Sequence, residues 1–187
     1  MKRFASGVIP FSLAVLTAVP GSAGDEGLSK PEKNGAEAYV YRQVDGNPLK
    51  LYVTQPEGRR SEERRPAIVF YHGGGWVGGV PGQFTQHAEY LASRGMVVVQ
   101  VRYRLLPRRD PVPPDRCIED AKAAFRWVRA HAETLGIDPD RIAAGGGSAG
   151  GHLAAAVAFL DGFDTPGQDL SVSGRPDALV LFNPVYN

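Results

Sequence analysis

The stretch Arg141–Phe159, RIAAGGGSAGGHLAAAVAF, decides how this chain is read. Ile142-Ala143-Ala144 is apolar and β-like, glycines then surround one serine, and His152–Phe159 continues as a small-residue helical run. Strand, glycine turn and helix are the context that a G-x-S-x-G corner requires, here Gly146-Gly147-Ser148-Ala149-Gly150. A serine at such a corner must take a cramped backbone conformation. Glycines two residues before and after it leave room for strand and helix to approach. The corner would push the Ser148 hydroxyl out at the C-terminal edge of a sheet. It would also aim the Ala149 N–H, at a helix N-terminus, at an anion. The same letters fit G-x-G-x-x-G at Gly145, Gly147 and Gly150, with Asp164 or Asp169 about as far on as a ribose-binding acid. Taken alone, the stretch leaves a nucleophile, a dinucleotide turn and a plain tight turn all open.

Working outward, buried-type strands alternate with helical patterns. Ala67–Tyr71 (AIVFY), Met96–Val101 (MVVVQV) and Ala178–Phe182 (ALVLF) are apolar runs of the kind covered on both faces. Gln83–Arg94 reads as a helix closed by Gly95. From Asp115, the stripe Ile118, Ala121, Phe125, Val128 and Ala132 marks a second helix, ended by Gly136. Ile137–Asp140 then reads as a tight connection into the strand before Ser148. Earlier, Ala38–Val44 and Leu49–Gln55 alternate apolar and polar residues around Asp45-Gly46-Asn47-Pro48, an antiparallel hairpin at a sheet edge. The charge run Arg59–Arg65 reads as a solvated loop. The expected fold class is α/β, a mostly parallel sheet with an antiparallel N-terminal hairpin, over residues 38–187.

Composition supports an ordinary globular domain: 43% hydrophobic and 22% charged, in 187 residues. The net charge of +1 implies no nucleic-acid or other polyanion partner. Residues 1–23 read as a secretory signal peptide: Lys2 and Arg3, an uncharged run Phe4–Val19, then Pro20-Gly21-Ser22-Ala23 at a cleavable boundary. An exported protein, periplasmic or secreted, is therefore expected. A polar leader, residues 24–37, would follow, with no membrane span once the signal is removed. Cys117 is the single cysteine, so no intramolecular disulfide can form; it falls in a helical pattern and reads as a small buried hydrophobe. No Cys/His spacing suggests a metal, and no cofactor is implied.

The second glycine stretch, His72-Gly73-Gly74-Gly75-Trp76, follows the AIVFY strand directly. Acyl transfer places negative charge on a carbonyl oxygen, and backbone N–H groups in a glycine loop can approach that oxygen closely. Losing one such donor costs about 3 kcal/mol of barrier. A histidine-led glycine loop and a G-x-S-x-G corner in one small domain point together to a serine nucleophile.

These motifs resemble the α/β-hydrolase superfamily, in its hormone-sensitive-lipase-like and feruloyl/acetylxylan-esterase-like (BD-FAE-like) branch. The matching pieces are YHGGGW at Tyr71–Trp76, VRYRL at Val101–Leu105, PPDRCIEDA at Pro113–Ala121, RWVR at Arg126–Arg129, GIDPDRI at Gly136–Ile142 and GGSAGGHL at Gly146–Leu153. The resemblance implies Ser148 as the nucleophile. Gly73, Gly74 and Ala149 would be the oxyanion N–H donors, with Gly75 shaping the loop. Many relatives carry Asp before the serine; here it is Gly147. Relatives use the histidine at position 72 to brace the loop, and His152 reads as a packing or hydrogen-bonding residue. In the family the triad acid and histidine come later in the chain. Here no histidine follows His152. Asp161, Asp164, Asp169 and Asp177 come too early for the triad acid and read as loop residues, and Asp120 reads as a holder of local structure. The expectation is an incomplete chain that lacks the last strands of the sheet and the base half of the triad. The implied activity is cleavage of small-molecule or polysaccharide-linked carboxylic esters. The alternatives are an amidase or peptidase of the same fold, or a non-catalytic binding module on a hydrolase scaffold.

Overall fold

The computed structural model describes residues 35–58, 60, 62–109 and 112–186. The expected signal segment, and the leader up to residue 34, lie outside these residues; the leader's expected end at residue 37 is too late, since Ala36 is buried and Glu37 already pairs with Val53. Among the described residues six strands form one sheet: β1 (Glu37–Val44), β2 (Asn47–Thr54), β3 (Arg65–Tyr71), β4 (Val97–Val101), β5 (Ile137–Gly147) and β6 (Ala178–Phe182), in the order β1-β2-β4-β3-β5-β6. The β1–β2 hairpin is antiparallel and joins β4 antiparallel. β3 runs parallel to β4 and β5, and β5 runs parallel to β6. This is the mostly parallel sheet with an antiparallel hairpin that the strand patterns predict.

The AIVFY and MVVVQV runs are explained by helices on both faces; the ALVLF run departs from expectation, because β6 is the end strand of the sheet among the described residues and none of its five residues is buried. Val69, Tyr71, Val97, Val99, Val101, Ile142 and Ala144 pack on one side with residues of α2 (Asp115–Ala130), the short α3 (Ala132–Leu135) and α4 (Ala149–Phe159). Ile68, Phe70 and Val98 point the other way, toward Phe84 and Ala88 of the α1 segment (α1, Thr85–Ser93). All five residues of β4 are buried, so alternation of side chains across the strand leaves no position for a polar face.

Three local expectations shift. Gln83 does not begin an α-helix; Pro81–Phe84 is a 3₁₀ turn, and α1 starts at Thr85. Pro81 at the start of that turn favours the tight entry, having no N–H to leave unpaired. The Ile137–Asp140 connection belongs to β5. Arg65 pairs with Ile137 and Ala67 with Ile142, so the residues between bulge out of register. Arg65, at the end of the charge run, is already in β3, its N–H donating to Gly136 O at 2.9 Å.

Asp120 is fully buried on α2 and holds local structure, as the sequence suggests. Its carboxylate accepts from Arg42 Nη1 of β1 at 2.6 Å, and from Arg104 N and Nε at 2.9 and 2.8 Å. Hairpin, post-β4 segment and α2 are thereby tied at one charge, and removing one partner from such a pair costs about 3–5 kcal/mol. Cys117 is buried beside it, its thiol pushed up to about 12 by burial, which makes it inert at neutral pH.

The chain leaves β3 for α1 on one face and β4 beside it. It crosses over to β5 on the other side of β3, then continues to α4 on the opposite face. Consecutive connections thus diverge at the carboxyl ends of β3 and β5. In open α/β sheets that reversal is where a crevice opens. Both glycine stretches lie there.

Candidate functional site

Ser148 sits between β5 and α4 with φ 52° and ψ −120°. This is a left-handed backbone that a residue with a Cβ adopts at a cost of about 1–3 kcal/mol. Its neighbours enforce it. A Cβ on Gly150 would stand 1.9 Å from Tyr71 O, and one on Gly146 would stand 2.4 Å from Gly150 O and 2.6 Å from Tyr71 O. Strand, corner and helix therefore press on the end of β3 with no room for a methyl group, as the spacing of the two glycines predicts. Every peptide contact at Ser148 is made by backbone. Its N–H donates to Phe182 O at 2.9 Å, and its carbonyl accepts from His152 N at 3.1 Å and Val185 N at 3.3 Å. The serine is exposed, and Ala149, the first residue of α4, is buried behind it.

The His72–Gly75 stretch is beside it. A Cβ built on Gly73 would lie 3.5 Å from the Ser148 Cβ and 2.9 Å from Gly147 O. The two glycine corners, 75 residues apart in sequence, are in contact.

The orientation of each peptide in that loop can be traced from its carbonyl. His72 O accepts from Tyr103 Oη at 2.7 Å. Gly73 O is 2.9 Å from His72 Nδ1. A carbonyl only accepts, so the proton is on Nδ1. Gly74 O accepts from Gly78 N at 3.0 Å and Val77 N at 3.2 Å. In a planar trans peptide the following N–H points opposite its carbonyl. The Gly74 and Gly75 N–H groups are therefore turned away from these partners, and among the described residues neither has an acceptor. Ala149 N–H, at the first helical position, is a third donor without an intrahelical acceptor. Gly73 differs from expectation. Its N–H, expected to face an oxyanion, donates to Gln83 Oε1 at 2.6 Å.

His72 is 2% exposed and stacks on Tyr103 with ring centroids 4.2 Å apart. Burial holds its imidazole below the usual histidine range, so it is a neutral brace for the loop. Positions 74 and 79 must be glycine for the same turn: a Cβ on Gly79 would meet Gly73 O at 2.1 Å, and one on Gly74 would meet Gly78 O at 2.4 Å. Gly75 has φ 60° but open space around it. Trp76, also at positive φ, sets its indole edge-on to the His152 ring of α4, centroids 5.2 Å apart and planes at 87°. His152 thus packs the loop against the serine's own helix, and burial lowers its basicity too.

Among the described residues no histidine hydrogen-bonds the Ser148 hydroxyl. The early acids are occupied elsewhere. Asp177 accepts from Ile142 N and Arg129 Nη2, both at 2.8 Å. Asp164 pairs with Arg126 at 2.8 Å, Asp161 with Arg175 at 2.8 Å, and Asp169 accepts from the Ser171 hydroxyl at 2.6 Å. Asp164 and Asp169 are accordingly poor ribose partners. Phe84 and Phe182 lie against Gly147, the residue before Ser148, and His87 joins them in an aromatic cluster, with Phe182 centred 5.9 Å from Phe84 and 5.7 Å from His87. Gln83 and this cluster were missed in the sequence. Gln83 reads as one polar residue on a helix face, and nothing local marks its side chain as a partner for an amide ten residues earlier.

A family model described as BD-FAE matches residues 51–177, and the chain belongs to that family. Apo esterase 2 of Thermogutta terrifontis is 48% identical with a TM-score of 0.77, over 83% of this chain and 57% of that one. Carboxylesterase NlhH of Mycobacterium tuberculosis is 44% identical over 96 residues, 51% of this chain and 29% of that protein. An AB hydrolase superfamily protein of Schizosaccharomyces pombe is 40% identical over 113 residues, 60% of this chain and 32% of that protein. The chain spans about a third of the length of these curated relatives. Its fold is that of the α/β-hydrolase esterases.

Proposed function

We propose that the protein is a serine carboxylesterase acting through an acyl-Ser148 intermediate. The observation that carries this reading is the contact between the corners: an exposed hydroxyl on a strained turn, with the Gly73 position 3.5 Å from its Cβ. In this reading Ser148 Oγ attacks the ester carbonyl and gives its proton to a general base. The carbonyl oxygen gathers negative charge before the N–H groups of Gly74, Gly75 and Ala149, and the alcohol leaves. Water then releases the acid and restores the serine. A serine hydroxyl needs a base at neutral pH. His72 faces Gly73 O and His152 faces Trp76, so the acid and base of the relay are assigned to residues other than these.

Relatives named as carboxylesterase and esterase favour ester substrates, and esterase 2 structures with propionate and with butyrate bound favour short acyl groups. That esterase is also phosphorylated by paraoxon, as expected of an activated nucleophile. A fluorophosphonate probe should label Ser148 in the complete protein; folded protein without labelling overturns the proposal. Parallel assays with short-chain esters, matched anilides and acetylated xylan separate esterase from amidase and small esters from polysaccharide-linked ones. Export belongs to the same proposal: mature protein recovered outside the cytoplasm should begin at Gly24.

A second reading is favoured by one observation, that no described histidine meets Ser148. It is a non-catalytic module on a hydrolase scaffold, and it requires ester binding without turnover.

A further inference from the structure

Gln83 is exposed, yet its side chain is not idle. Its Oε1 accepts the N–H of buried Gly73 at 2.6 Å, a donor that would otherwise be buried and unpaired. The turn that carries Gln83 is fixed from below. Gln100, 2% exposed on β4, donates Nε2 to Pro81 O at 2.7 Å. The Phe84 ring stacks on Phe70 at 4.4 Å with planes 3° apart. The carboxamide is therefore delivered to the loop by a rigid turn. A Cβ on Gly73 would be 3.5 Å from Gln83 Oε1 and equally 3.5 Å from the Ser148 Cβ, so the clamp sits beside the nucleophile.

We propose that Gln83 is a positioning residue for the oxyanion loop. By accepting the Gly73 N–H it withdraws that amide from the reaction and fixes the His72–Gly73 peptide from the side opposite Tyr103. The Gly74 and Gly75 N–H groups, with that of Ala149, remain for the substrate oxygen. The proposal rests on the esterase reading for its effect on rate, but the clamp itself does not depend on it.

The test uses the complete protein and three variants: Gln83→Met, which keeps length and loses the acceptor; Gln83→Ala; and Gln83→Glu, which keeps an acceptor. Amide hydrogen exchange at Gly73 is read by NMR beside steady-state hydrolysis of a short-chain ester. Gln83→Met and Gln83→Ala should speed Gly73 exchange at least tenfold and lower kcat about tenfold, with KM within twofold. The amides of α4 should keep their protection, which shows that the fold is intact. Gln83→Glu should restore slow Gly73 exchange. Its kcat should recover as pH falls and the carboxylate near the developing oxyanion is neutralised. Fast Gly73 exchange in the unaltered protein overturns the proposal, as does Gln83→Met leaving exchange and kcat unchanged. If the unaltered protein neither labels nor turns over, the esterase reading and the rate role fall, and Gly73 exchange alone decides the clamp.

Discussion

The two glycine corners meet at one point but are held by different means. At Ser148 the peptide groups are partnered by backbone alone, and the fit is strand and helix pressed against the end of β3. At His72–Gly75 the peptides are held largely by side chains: Tyr103, His72 and Gln83. The first corner is fixed by backbone hydrogen bonds and by close packing on β3, and leaves little to adjust. The second is assembled from a ring, a phenol and a carboxamide on separate segments, so single substitutions can retune it while the sheet stays whole.

The largest effect should come at the shared point. Ser148→Ala keeps the strained backbone and removes the hydroxyl. Ester turnover should fall by about 10⁴-fold or more with the melting temperature little changed; retained turnover would remove the chemical meaning of the contact. Next, Gly150→Ala places a methyl group on Tyr71 O, and chemical denaturation should register a loss of at least about 3 kcal/mol. Gly75→Ala, with open space around it, should cost only about 1 kcal/mol for its positive φ. Equal losses would break the contrast between a packed corner and an adjustable one.

Tyr103→Phe leaves His72 O without its donor and should cost about 1–3 kcal/mol, with faster exchange in the 72–75 loop and unchanged exchange in α4. Acid should act in the same place. Burial depresses His72, so as pH falls the unfolded chain binds the proton first. The stability it contributes is complete above about pH 6.5 and declines below it. His152 works in the same direction on α4. Denaturation midpoints at pH 7 and pH 5.5 should show the loss, and His72→Asn should reduce it; a pH-independent midpoint would contradict the neutral brace. The one gain in stability should be small: Ser148→Gly relieves the φ of 52° and should stabilise by about 1 kcal/mol, with turnover lost as in Ser148→Ala.

The difference between the corners also explains what could be read from the letters. Gly146, Ser148 and Gly150 announce their corner because its constraint is local: the residues that must be small are the residues of the motif. The sheet was legible for a similar reason, since the AIVFY and MVVVQV runs encode burial on both faces. The loop was half legible. Its glycines and His72 are adjacent in sequence, but which N–H groups are free depends on Gln83 and Tyr103, whose roles arise only from tertiary placement. The bulge in β5 stayed hidden because Asp138-Pro139-Asp140 has turn chemistry, and only its pairing with β3 draws it into the sheet. Asp120 was assigned to structure on its helix position, while its arginine partners on β1 and after β4 come from distant segments.

The backbone at Ser148 sets mutational drift against use. Any lineage that no longer needed this hydroxyl would find a more stable protein one substitution away, at glycine. Serine therefore persists at that corner only while selection for what the hydroxyl does outweighs the selection for a sturdier chain.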